Sequence, residues 1–260
     1  MSTPLTPDFA KQLAGPRREP AGASALGENI VLPRGLTAVR RMSTRAFLVS
    51  LVALAALIYA LSITSFLEIA DDNAHFVILA RSLAGGKGYT FTADPADHPD
   101  VQYPPLFPLV LAPVEYLMPG SLVALKAVSL FFMVLSVWPL YLIVRRTSGE
   151  EWARAVALLW AVSPAVVVFA HTIMIEAMYC AISFAALWLL EKEHDGELHG
   201  LPSWATLTAL LAAAFYTRLL GVALILTAVV VLGLRRSAVR AALYAALMAL
   251  IAAPWLVRGA

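Results

Sequence analysis

Apolar residues fall in long runs separated by short polar breaks. Residues 46–67, 122–144 and 241–257 are nearly unbroken apolar runs, each close to the ~20 residues that carry a helix across a hydrocarbon core. Each is predicted to be a membrane span. Two longer stretches, 155–190 and 203–234, divide less simply. As one helix, 155–190 would reach about 54 Å at ~1.5 Å per residue, well past a core of ~30 Å. A single span would also hold Glu176 or Arg218 near mid-bilayer, where each charge costs roughly 2.5–3.5 kcal/mol. Folding each stretch as a hairpin of two short helices puts both charges at helix ends. The pattern thus predicts an all-α polytopic transmembrane bundle of about seven spans. Five is the alternative, because the 191–199 segment is not basic and fixes no side of the membrane.

Residues 68–120 interrupt this pattern. Glu68, Asp71, Asp72, Asp94, Asp97, Asp100 and Glu115 outnumber Arg81 and Lys87, and prolines punctuate the second half. A large extramembrane loop is predicted. Within it Phe76, Leu79, Ala80 and Leu83 recur at helical spacing from Asp71 onward, and Gly85-Gly86 follows as a stop. Asp71 or Asp72 can cap this helix, which is expected to lie along the membrane interface with its apolar face down.

Composition supports the membrane assignment. The 260-residue chain is 60% hydrophobic and 14% charged, with mean hydropathy +0.78, whereas soluble domains carry about 25% charged residues. The chain is therefore expected to be an integral protein of the cell membrane, with lipids as neighbours. The net charge of +2 is small and the basic residues gather at the ends of runs, so nucleic-acid binding has no support. Residues 1–45 carry Lys11, Arg17, Arg18, Arg34, Arg40, Arg41 and Arg45 against Asp8, Glu19 and Glu28, which predicts a disordered cytoplasmic tail ahead of a membrane domain at 46–260. Arg145-Arg146 and Arg235, Arg236 and Arg240 are placed inside by the same rule, so the 68–120 loop is predicted to be extracytoplasmic. The lone Cys180 excludes an internal disulfide, and His75, His98 and His171 lack metal-ligand spacing, so no metal site is assigned.

An acidic pair opening a helix is explained by capping and the helix dipole alone. Here, however, Asp71-Asp72 is followed by Gly86-Lys87-Gly88-Tyr89 and then by Tyr103-Pro104-Pro105-Leu106. In order and spacing these motifs resemble the GT-C superfamily of integral-membrane glycosyltransferases, which includes aminoarabinose and lipopolysaccharide-core sugar transferases and the protein O-mannosyltransferases. The likeness spans roughly residues 46–258. Asp72 takes the position of the family's catalytic acid, and Asn73 stands where the family often has Glu. The run Asp72-Asn73-Ala74-His75-Phe76 is similar to the Asp-Glu-x-His-Phe of the O-mannosyltransferases through His75 and Phe76. Ser163-Pro164 with Glu176, and Tyr216-Thr217-Arg218, resemble two later outer turns that carry an acid and an arginine. Each also has a plainer reading: Glu176 as a helix-end carboxylate in water, Arg218 as a side chain reaching for head groups.

The resemblance implies a glycosyltransferase that moves a hexose or pentose from a polyprenyl-phosphate donor to an acceptor hydroxyl at the extracytoplasmic face, with inversion. The acceptor, whether lipid, glycan or protein, is left open. Asp72 is the candidate base, with Asp71 beside it. Glu176 is a candidate on the acceptor or metal side, Arg218 and Lys87 are candidate donor-phosphate contacts, and His75, Tyr89, Tyr103, Pro104 and Pro105 form the loop motif. Some members use a divalent cation and others do not, so no cofactor is assigned. The rival classes are a multi-pass transporter, which predicts midplane charges and repeated halves, and a non-catalytic membrane subunit or fragment. No internal repeat is visible. The chain resembles the N-terminal portion of the family and is expected to be C-terminally incomplete.

Overall fold

The computed structural model describes residues 42–68, 71–93 and 98–258, Asp71 by its backbone alone. The chain divides into residues 1–43 and 44–260. The expected disordered tail lies, for residues 1–41, outside the described residues, and helix begins at Thr44, two residues before its predicted start.

Ten α-helices occur among the described residues: α1 (Thr44–Ser62), α2 (Asp71–Ala84), α3 (Leu106–Leu117), α4 (Leu122–Ser148), α5 (Glu150–Val162), α6 (Pro164–His171), α7 (Ile175–His194), α8 (Gly200–Thr217), α9 (Val222–Arg235) and α10 (Ala238–Arg258). A two-stranded antiparallel ribbon, β1 (Thr90–Phe91) with β2 (His98–Pro99), joins α2 to α3. The all-α membrane bundle expected from the apolar runs is thus observed.

α4 is the central post, packed along α7, α5, α6 and α1. Ser121 starts it by accepting a bond from the Ala124 N–H, and Arg145 and Arg146 stand in its last turn. Between lipid-exposed helices apolar burial gives little preference for one partner over another, so close approach depends on small side chains. Ala153, Ala157 and Ala161 supply them on α5, one turn apart and all fully buried.

Both long apolar stretches are broken into shorter helices, as expected. In the first, α5 and α6 are bent by 54° at Ser163, where Pro164 opens α6, and α7 follows from Ile175. In the second, α8 ends at Thr217, a 3-10 turn spans Leu219–Gly221, and α9 follows. By length and apolar composition, α1, α4 and α10 can each cross a membrane, up to four spans when the bent α5–α6 pair is taken as one. That number is below the expected seven. α7 carries Glu176, Glu191 and Lys192 in its end turns, and α9 has only 14 residues.

The loop differs from expectation in two respects. α1 stops at Ser62, short of the predicted 67, and residues 63–68 leave the helix. α2 does not lie with its apolar face on lipid. Phe76, Val77 and Ala80 are buried in a cluster with Phe107 and Leu111 of α3 and with Ile173 and Ile175. Phe76 meets Phe107 edge-on at 5.3 Å, and Arg81 on α2 bonds Glu115 on α3 at 3.0 Å. The helical spacing of the apolar face is as predicted; protein, not membrane, covers it.

Candidate active site

Asp72, half-buried, stands in the first turn of α2. Its Oδ1 accepts a hydrogen bond from the Tyr103 hydroxyl. Its Oδ2 carries no bond among the described residues. Burial, followed by the bond to Asp72, pushes the Tyr103 phenol up to about 12, so it stays a donor throughout the working pH range. One helical turn on, His75 Nε2 lies 2.5 Å from Asp100 Oδ2, its ring stacked on Phe91 at 4.4 Å and set edge-on to Tyr103. Asp100 Oδ1 accepts the backbone N–H groups of Gln102 and Tyr103. This Asx-type turn aims Tyr103 back at Asp72.

The glycine turn brings in the next member. Gly86 and Gly88 adopt φ of 74° and 79°, a region that side chains with a Cβ rarely enter, and Ser82 bonds the Gly88 carbonyl. Tyr89 is thereby delivered to donate its hydroxyl to the Tyr103 carbonyl at 2.8 Å. Burial drives its phenol far above the ordinary range. Arg258, in the last turn of α10, spans the ribbon: Nη2 donates to the Tyr89 carbonyl at 2.9 Å and Nε to the Asp100 carbonyl at 3.2 Å. A cavity of about 240 Å³ opens beside this network, walled by Leu83, Tyr89, Leu109, Tyr216, Trp255 and Arg258.

A buried lysine fixes the entrance to α2. Lys126 is fully buried one turn into α4, and its ammonium donates to the Thr64 and Phe66 carbonyls, the Thr64 hydroxyl and, at 2.5 Å, Glu68 Oε1. Burial pushes the Glu68 carboxyl up, but the bonds from Lys126, the backbone and Thr64 outweigh it and hold the group below its usual range. This clamp accounts for the early end of α1.

Of the residues singled out in the sequence, Asp72, His75, Tyr89, Tyr103 and Pro104 come together, the Pro104 carbonyl as a long 3.4 Å acceptor for Tyr89. Pro105 stands at the N-cap of α3. Lys87 lies exposed in the glycine turn. The Asp71 side chain is outside the described residues. Glu176 and Arg218 engage each other at 3.0 Å and not the Asp72 network. Arg218 is presented where α8 ends and the chain folds back so closely that a Cβ on Gly221 would stand 2.4 Å from the Phe215 backbone nitrogen.

Three contributors were missed. Asp100 had a local signal, an Asp ahead of a Tyr-Pro turn. Lys126 was a charge inside an apolar run, which is itself a flag for function. Arg258 had no signal beyond its sign. Among the described residues no group of three or more His, Cys, Asp or Glu side chains is arranged to hold a metal ion. Asn73 is fully buried, and neither its amide oxygen nor its nitrogen has a partner among the described residues.

An apolar helix bundle carrying a carboxylate–tyrosine–histidine network on a folded loop, beside a largely apolar cavity, has the architecture of a membrane enzyme that handles a polar group on a lipid. Residues 97–257, more than half of the chain, match the dolichyl-phosphate-mannose-protein mannosyltransferase family, and the chain belongs to that family. It is a membrane glycosyltransferase of the GT-C type, dependent on a lipid-linked sugar donor. Tyr103, Pro104, Pro105, Glu176 and Arg218 fall within the match, whereas Asp72, His75, Lys87 and Tyr89 precede it. The family match stands against the transporter alternative. No curated protein and no solved structure matches the chain.

Proposed function

We propose that the protein transfers a hexose, mannose by the family's description, from a polyprenyl-phosphate donor to an acceptor hydroxyl, with Asp72 as the base and with inversion at the anomeric carbon. The observation that carries this reading is the state of the Asp72 carboxylate: Tyr103 fixes one oxygen, and the other has no bond among the described residues. A positioned carboxylate with an available lone pair can take the acceptor proton as the acceptor oxygen bonds the anomeric carbon and the polyprenyl phosphate departs.

The adjoining cavity suits the donor. Leu83, Leu109 and Trp255 offer an apolar wall to the first isoprene units, and Arg258 brings a fixed positive charge to the same cavity, where it would offset charge on the leaving phosphate. In this reading Arg218 and Lys87 are further phosphate contacts. Glu176, held by Arg218, lies on the acceptor side. The buried amide of Asn73 would be satisfied by a hydrogen-bonding guest, since a polar group so far from water is costly to leave unpaired. The positive-inside bias of Arg145, Arg146, Arg235, Arg236 and Arg240 supports placing the loop on the extracytoplasmic face.

The test is transfer in nanodiscs from labelled polyprenyl-phosphate mannose, with polyprenyl-phosphate glucose and aminoarabinose in parallel, for wild type and Asp72→Asn. Turnover by wild type and its loss in the variant is the expected result. Equal turnover in both removes Asp72 as the base.

A further inference from the structure

α10 connects two different ends of the bundle. Arg258 closes its last turn against the loop, whereas Arg240, about 27 Å away along the helix axis at ~1.5 Å per residue, belongs to the opposite end. There a second cavity, about 400 Å³ in volume, is lined among others by His199, Trp204, Leu232, Arg236, Arg240 and Tyr244. It is larger than the cavity walled by Tyr89 and Arg258 and shares no residue with it. The transfer chemistry makes no use of it.

We propose that this cavity binds the phosphate head group of an anionic membrane lipid. Two arginines converge on it in different states. Arg236 is held by Glu193, itself buried, through bonds of 2.8 and 3.2 Å, so its guanidinium is fixed in orientation. The Arg240 guanidinium is exposed and has no acceptor among the described residues. Of the other acids at this end, Asp195 and Glu197 both bond Arg146, at 2.7 and 2.5 Å, and Glu191, half-buried on α7, does not line the cavity. Arg240 therefore leaves a positive charge at the cavity uncompensated, with His199 beside it.

The remaining walls select a lipid over a free ion. Trp204 and Tyr244 meet edge-on at 6.2 Å, the Tyr244 hydroxyl lies 3.1 Å from that of Thr208, and Leu232 adds an apolar side. Aromatic groups with one wet end, next to basic residues at helix ends, are the usual surroundings of a lipid head group. Basic pockets between helices near the cytoplasmic face bind acidic lipids on the same grounds.

Native mass spectrometry of the delipidated full chain in detergent tests the site with dioctanoyl phosphatidylglycerol, dioctanoyl phosphatidylcholine and inorganic phosphate. One equivalent of phosphatidylglycerol is expected to bind about tenfold more tightly than phosphatidylcholine. Arg240→Gln is expected to weaken it by about tenfold, the worth of one charge-assisted hydrogen bond. Arg235→Gln removes the same charge from the same end without touching the cavity lining, and should leave binding unchanged. Equal losses in the two variants would reduce the effect to general surface charge and overturn the proposal. Equal binding of phosphatidylcholine would overturn it too, as would displacement of the lipid by an equal concentration of inorganic phosphate.

Discussion

Glu68 and Asp72 sit on the same short approach to one loop, yet their surroundings are opposite. Glu68 is tied to a cation: the Lys126 ammonium at 2.5 Å and the Thr64 hydroxyl at 2.9 Å both reach Oε1, while Oε2 is buried without a partner among the described residues. Asp72 has a single neutral donor, Tyr103, and no cation on it among the described residues. A carboxylate bonded to a cation has little basicity to offer and makes a good structural pin. A carboxylate oriented by a neutral hydroxyl keeps a lone pair available. The difference separates holding the loop from doing chemistry on it, although sequence presents both simply as acids.

The contrast can be broken most directly at the base. Asp72→Asn should lower kcat by about 10³-fold, within the usual range for a lost general base, and leave thermal stability in detergent unchanged because the amide oxygen still accepts from Tyr103. Glu68→Gln should do the reverse, keeping kcat within about twofold while lowering the melting temperature. If both variants lose activity alike, the division of labour is wrong.

Next in size is the clamp. Lys126→Met leaves Glu68 without its cation and should cost about 3 kcal/mol of stability, measured by thermal or denaturant unfolding. Adding Glu68→Gln to that variant should recover most of the loss, which a double-mutant cycle reads as coupling. Additive losses would dissolve the pair.

Tyr103→Phe should cost about tenfold in kcat, since one hydrogen bond to the base is lost. It also has a pH signature. The folded phenol titrates at about 12 against an ordinary 10.0, so the native state holds this proton more tightly. The stability this contributes is complete below pH 10 and is lost as pH rises towards 12. Unfolding curves of wild type and Tyr103→Phe should converge across that window.

The smallest effect is at acid pH. Glu68 is lowered from 4.5, so its contribution is present above that value and disappears as pH falls below it. Glu68→Gln should be the less acid-sensitive protein.

Much of this was legible along the chain. The runs 46–67, 122–144 and 241–257 became α1, α4 and α10 within a few residues, because an apolar run of that length has to satisfy its backbone hydrogen bonds internally and forms a helix. The breaks ahead of Glu176 and at Arg218 were legible for a similar reason, a charge being costly within an apolar helix. The Gly85–Gly88 turn was legible because few other residues take its backbone angles. Lys126 was not, although it is the only charge deep in its run, since no local pattern names a carbonyl acceptor on a preceding loop. Nor was the cover over α2: helical spacing defines an apolar face without saying whether lipid or Phe107 lies against it.

The sequence by itself determined the class of the protein, the order of its membrane helices and the position of a carboxylate at the start of a loop helix, because hydropathy, helix periodicity and turn chemistry all act over a few neighbouring residues. Only the tertiary structure decided which charges are occupied and which remain available. Arg258 reaches back to Asp100 and Tyr89, Lys126 to Glu68, and Arg218 to Glu176. Those pairings join residues far apart in the chain, and they exist only once the helices have stacked to bring their ends together.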